Sequence, residues 1–168
     1  MHDIVKKMID EALRIEEDCT YSSKGQFNSG DIWGKWHLRL GLPAAVITAL
    51  AGASAFADQA LLAGIAASIA TALTTTLTFL RPSERAETHK AAGASYLTLR
   101  NQARIFREIE LESAAEHDLT ALKKRLLELA MKKDELNQTM PGILRQAYEL
   151  ARKDIEEGRH KHNVDIHE

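Results

Sequence analysis

Four threonines, Thr71, Thr74, Thr75 and Thr78, set hydroxyls along one helical sector of residues 60–80, a stretch with no charged side chain. Hydroxyls in apolar surroundings have two uses. They can face a cavity and line a polar path, or each can bond the carbonyl four residues back in its own helix. Thr71, Thr75 and Thr78 are the candidate pore-lining residues. Beside them run small residues four apart: Gly41, Ala45, Ala49, Ala53 and Ala57, then Ala60, Gly64, Ser68, Ala72 and Thr76. Such faces let helix backbones approach closely, the geometry of association inside lipid. Gly41, Ala45, Ala49, Gly52, Ala53, Gly64, Ser68 and Ala72 are therefore the candidate helix-packing residues. Faces of this kind can close one hairpin on itself or join several copies.

Other reactive side chains are scattered. Of seven histidines, His160, His162 and His167 lie in a polar tail, where His160-x-His162 lacks the rigid support that a metal site requires. His89 and His117 stand alone on helices, and His37 sits beside Trp36. The only cysteine, Cys19, excludes an intrachain disulfide and fits a reducing cytoplasmic face. Walker A, GxGxxG, CxxC and HExxH patterns are absent, and no Ser/His/Asp arrangement can be argued. The expectation is a non-enzyme with no cofactor, no catalytic residue and no metal. A net charge of -2 gives a nucleic-acid partner no support.

The elements that hold these residues follow from charge and length. Residues 40–80 contain one charged side chain, Asp58. It divides them into uncharged stretches, 40–57 and 60–80, of 18 and 21 residues. As helices these are about 27–31 Å long, matching the roughly 30 Å hydrocarbon core of a bilayer. A charge in mid-membrane costs roughly 2.5–3.5 kcal/mol on insertion scales and much less at a helix end, so Asp58-Gln59 reads as the tip of a two-span hairpin. Lys24, Lys35 and Arg39 precede the first span; Arg81, Arg85 and Lys90 follow the second; the tip has no Lys or Arg. The positive-inside rule then puts both termini in the cytoplasm. Trp33, Trp36, Arg39 and Arg81 are the expected membrane-interface anchors. A mean hydropathy of -0.27 conceals this, because charge concentrates outside the hairpin. The bland alternative is a buried hairpin in a soluble protein, since 24 of the 41 residues are Ala, Gly, Ser or Thr.

The remainder reads as helix. Ile4/Val5, Met8/Ile9 and Ala12/Leu13 recur every four residues as an amphipathic helix. Residues 20–31, with Gly25, Gly30, Asn28 and three serines, read as a linker. Arg81-Pro82-Ser83-Glu84 marks a kink or a fresh helix start. Ala92, Tyr96, Leu99, Ala103, Phe106 and Ile109 then form a near-heptad seam. Ser113-Ala-Ala-Glu116 has the form of a capping box. Leu119, Leu122, Leu126, Leu129 and Leu136 continue the stripe, with Lys133 interrupting it, until Pro141-Gly142. A last helix carries Ile143/Leu144, Ala147/Tyr148, Ala151 and Ile155, and Gly158 stops it. The expected fold is all-α, in one domain over residues 1–168. It comprises an N-terminal amphipathic helix and linker (1–39), a two-span transmembrane hairpin (40–80), a C-terminal cytoplasmic helical hairpin (81–158) and a polar tail (159–168).

Several motifs carry a family likeness. Trp33-x-x-Trp36-His37 leading into Leu40-Gly-Leu-Pro43 and Ala51-Gly-Ala-Ser54 resembles the SLATT family of two-span bacterial proteins. The exit Thr78-Phe-Leu-Arg-Pro82-Ser-Glu84, followed by His89, Gly93, Tyr96 and Leu99, is similar to the same family, as is Pro141 … Tyr148 … Ala151 … Ile155 … Gly158. The resemblance implies a membrane effector of a prokaryotic antiphage or conflict system. Such an effector sits in the bacterial inner membrane and homo-oligomerises into a pore. It also implies a nucleotide-signal trigger, either a cyclic nucleotide or a separate sensor protein, although no nucleotide-binding motif is present. Two other classes stand beside it: a non-conducting membrane scaffold whose cytoplasmic helices recruit a partner, and a soluble helical-bundle interaction module.

Overall fold

The computed structural model describes residues 2–111 and 119–158. The chain is all-helical, with no strand among the described residues. Helix α1 spans His2–Phe56, α2 Ala60–Leu80 and α3 Pro82–Ile105, the last running on into a π turn at Phe106–Glu110. Helices α4 (Leu119–Thr139) and α5 (Arg145–Glu156) complete the described residues. The chain divides into a polar bundle, residues 1–29 with 88–168, and an apolar hairpin, residues 30–87.

The bundle packs three helix stripes. Met8, Ala12, Ile15 and Cys19 of α1 meet Tyr96, Leu99, Ala103 and Phe106 of α3 and Leu122, Leu129 and Leu136 of α4. Steps of three and four residues keep each stripe on one helix face. Ion pairs fix the directions: Arg107 Nε donates to Glu16 Oε1 at 2.7 Å, and Lys133 Nζ to Asp18 Oδ2 at 2.9 Å. Together with Gln26–His89 and Gln26–Pro141 contacts, they set α3 antiparallel and α4 parallel to α1. Lys133, the apparent break in the α4 stripe, is thus the partner of Asp18. That hydrogen bond is the largest cause holding the Lys133 ammonium above its usual pKa.

Two sequence expectations need correction here. Ile109, placed in the α3 seam, is 62% exposed, and Leu111 takes the core position instead. The π turn explains it: one wider turn adds a residue between successive core positions, so the stripe steps from Phe106 to Leu111 rather than to Ile109. The linker expected at residues 20–31 is continuous helix. Thr20, Ser23, Gln26 and Ser29, three residues apart, are all buried and carry the stripe of Ile15 and Cys19 onward. Thr20 and Ser23 donate to carbonyls of their own helix, at Glu16 and Thr20, whereas Gln26, Asn28 and Ser29 serve the backbone of the α4–α5 connection and of the first turn of α5. Gln26 Nε2 donates to the Pro141 carbonyl at 2.6 Å, Ser29 Oγ accepts from the Leu144 N–H at 3.2 Å, and Asn28 Nδ2 donates to the Ala147 carbonyl at 3.2 Å. Gly25 is there for closeness: a Cβ on it would lie 2.9 Å from Ile143 Cγ2. Composition suited to a loop was composition suited to holding one.

The Ser113/Glu116 capping box, His117 and the tail with His160, His162 and His167 lie outside the described residues.

Candidate functional site

The hairpin begins with its two turns. Asp58, at the tip, has φ 56°, a left-handed conformation that Asp tolerates better than most side chains. At the other end Arg81 is left-handed (φ 45°, ψ 52°) and closes α2 by donating its N–H to the Leu77 carbonyl at 2.9 Å. Pro82 then opens α3, where its missing N–H costs nothing. The kink-or-start expected at Arg81–Glu84 is a helix end and a new start.

Two contacts set the register of the hairpin's arms. A Cβ on Gly41 would stand 3.8 Å from Leu77 Cδ1, and the Arg85 guanidinium lies 4.8 Å over the Trp33 ring. Arg81 pairs with Glu84 at 3.4 Å, while Trp36 and Arg39 are exposed. Of the four expected anchors, Trp33 is therefore engaged in a cation–π contact, Arg81 in an ion pair, and Trp36 and Arg39 point outward.

The seam between the arms is built on Ala44, Ala51 and Ala70, which are buried, with Gly41, Ile47, Ala63, Ala66, Leu73 and Leu77 partly so. Within a single hairpin the expected packing residues divide between the seam and the outer surface. Of the eight candidates, only Gly41 meets the opposite arm. Ala45, Ala49, Gly52, Ala53, Gly64, Ser68 and Ala72 are exposed, and a Cβ on Gly52 or Gly64 would meet nothing within 4 Å. The reason is periodicity. Residues four apart drift round a helix by about 40° per step, whereas alternating steps of three and four, as in Ala44, Ile47, Ala51 and Ser54, stay on one line. That heptad spacing is present in the sequence beside the more conspicuous run of small residues four apart.

The outward small-residue face of α2 is concave. Ala60, Gly64 and Ser68 floor a depression of about 470 Å³ walled by Leu61, Ile65 and Ile69. A second groove, about 410 Å³, runs between the arms. Thr71, Thr74, Thr75 and Thr78 all line it, joined from α1 by Thr48, a residue the sequence reading missed. The hydroxyls of Thr48, Thr71, Thr74 and Thr78 donate to carbonyls four residues back at 2.8–3.0 Å. Each therefore sits in apolar surroundings with its proton satisfied, while the oxygen keeps acceptor capacity towards the groove. Thr75 has no such bond among the described residues.

The hairpin's outer surface is apolar. Leu38, Leu42, Leu61 and Phe79 are each at least two-thirds exposed, and both helices carry stretches long and apolar enough to cross a membrane, of which only 6% is buried. In the bundle, among the described residues, no group of three His, Cys, Asp or Glu side chains is placed to hold a metal ion. Cys19 is fully buried, and burial is the main cause pushing its thiol up to about 12, which leaves it a packing residue rather than a nucleophile. No family model, curated protein or solved structure matches the chain.

Proposed function

We propose that this chain is a two-span protein of the bacterial inner membrane, both termini cytoplasmic, whose hairpins oligomerise into a pore that disrupts the membrane in an antiphage or conflict response. The observation that carries the reading is the division of labour in the hairpin. One seam closes the two arms, and a separate, concave small-residue face at Gly64 and Ser68 is left outward. Within lipid, an outward face of this kind favours a neighbouring helix over lipid tails, because close backbone approach gains dispersion contacts. The threonine groove supplies the acceptor oxygens for a polar path. Lys and Arg on the base of both arms favour the cytoplasmic placement of the termini. Activation by a nucleotide signal, direct or through a sensor protein, belongs to the same reading, by resemblance to SLATT proteins.

One observation favours a rival. Four groove threonines satisfy their hydroxyl protons within their own helix, so the hairpin is also stable as a non-conducting anchor, with the bundle recruiting a partner. Replacing residues 40–80 by an unrelated two-span hairpin separates the two. In cells carrying a potential-sensitive dye, induced wild type depolarises the membrane and the chimera does not. A chimera that keeps full activity establishes the scaffold. Recovery of wild type in the soluble fraction would refute both and leave the soluble interaction module.

A further inference from the structure

Helix α5 is attached to the bundle differently from α1, α3 and α4. The continuous apolar core of the bundle draws no residue from it. Its only buried side chains are Ala147 and Ala151; Tyr148 and Leu150 are exposed. Tyr148 meets Tyr21 only at a ring-centroid distance of 6.4 Å. Below that contact the seam is open: a polar groove of about 580 Å³, lined by Glu17, Tyr21, Asn137, Tyr148 and Arg152, separates α5 from α1 and α4. What fastens α5 is mainly polar, its connection to α4 adding Met140, which packs against the edge of the apolar core. Gln26, Asn28 and Ser29 bond the backbone at Pro141, Ala147 and Leu144, and Ile143 seats on Gly25. A 12-residue helix has little stability once undocked, and elements with few buried apolar contacts open at the lowest free energy.

We propose that α5 and residues 140–144 form a releasable latch, which opens as one unit while the α1–α3–α4 core stays folded, and that its opening is required for membrane disruption. The second half rests on the pore-forming reading. The latch bonds all land on the last two turns of α1 before residue 30, where the hairpin's unit begins. Release therefore frees the side-chain amide donors of Gln26 and Asn28 and one acceptor site of Ser29 in the segment that leads into the first span, while Gln26 keeps His89 and Ser29 keeps the Gly25 carbonyl. A trigger needs only to bind the released form better than the docked one.

A disulfide can hold the latch shut. The 2.9 Å between a Cβ on Gly25 and Ile143 Cγ2 leaves the two Cβ atoms at most about 4.4 Å apart, within disulfide range. Cys19 does not compete, being buried with its thiol pushed up to about 12. In hydrogen exchange on the full chain in detergent micelles, amides of residues 145–156 exchange at least tenfold faster than those flanking Leu129. Oxidising the Gly25→Cys/Ile143→Cys variant with diamide slows them to the core rate, and dithiothreitol restores them. Equal rates in α5 and the core of wild type would overturn the latch. Purified protein in phosphatidylglycerol-containing vesicles tests the second half: oxidation of the variant stops dye leakage and reduction restores it. Leakage unaffected by the lock would overturn the coupling. Wild type whose α5 exchanges fast in the vesicles and yet leaks no dye would refute the pore reading and the coupling with it, while the exchange rates themselves decide whether the latch opens.

Discussion

The bundle and the hairpin use the same spacing of contact positions with opposite side chains. In the bundle, alternating steps of three and four carry Met8, Ile15, Leu99, Phe106 and Leu129 inward. In the hairpin the same steps carry Ala44, Ala51 and Ala70 inward, while Leu42, Leu50, Leu61 and Phe79 face out. Water explains the first arrangement, since burying a large apolar side chain gains about 1.5–3 kcal/mol. Nothing is gained that way where the surroundings are as apolar as the side chain. A hairpin in hydrocarbon, as proposed, would make its contacts through small residues that let backbones come close and leave the large ones to the lipid. The difference teaches that helix periodicity alone locates a seam, and the size of the residues on it tells which solvent the seam was built for.

That contrast can be broken most sharply with large-to-small changes in each region. Phe106→Ala, at a fully buried position, is expected to cost the bundle about 3–5 kcal/mol. Leu62→Ala, on the hairpin's outer face, should leave it unchanged within about 0.5 kcal/mol. Denaturant unfolding of the full chain in micelles, followed by helix content, gives both values. Equal losses would mean that the outer face is packed like a core.

The reverse substitution probes the other side. Ala70→Leu overfills the hairpin seam at a buried position and should cost about 1–3 kcal/mol, read as faster exchange of amides in residues 60–80. No change would show that the arms do not pack as described.

A pH-dependent effect comes from Cys19. Its folded pKa is raised, from 9.0 to about 12, so its contribution is intact below pH 9 and is lost as pH rises towards 12. The slope approaches about 1.4 kcal/mol per pH unit in that window. Burial raises the Tyr96 pKa as well and adds a loss of the same sign. Cys19→Ala should flatten the alkaline decline measured by unfolding at pH 8 to 11, and an unaltered slope would contradict the buried-thiol account.

How much of this was legible beforehand varied with the physics. The tip at Asp58, the break at Arg81-Pro82 and the core stripes of α3 and α4 were readable, because charge, proline and apolar spacing act locally. Residues 20–31 were misread because Gly25, Ser29 and Asn28 are loop-like by propensity. Only the tertiary partner, the backbone of residues 140–144, makes a helix of them worthwhile. The π turn at Phe106–Glu110 left no mark except that Leu111, five residues on, also fits a core. In the hairpin, one apolar stretch offered two small-residue registers, at four and at three-four spacing. Sequence alone did not say that the second closes the arms and frees the first.

The freed face leads to the decisive measurement. A Cβ at Gly64 meets nothing within 4 Å, so Gly64→Leu leaves the single hairpin undisturbed and fills only the outward depression between Leu61, Ile65 and Ser68. Membrane potential, growth and membrane fractionation would be followed after induction of wild type and variant in bacteria. The account predicts rapid depolarisation by wild type and none by an equally membrane-located Gly64→Leu. Equal depolarisation by both would contradict the claim that this face assembles the pore.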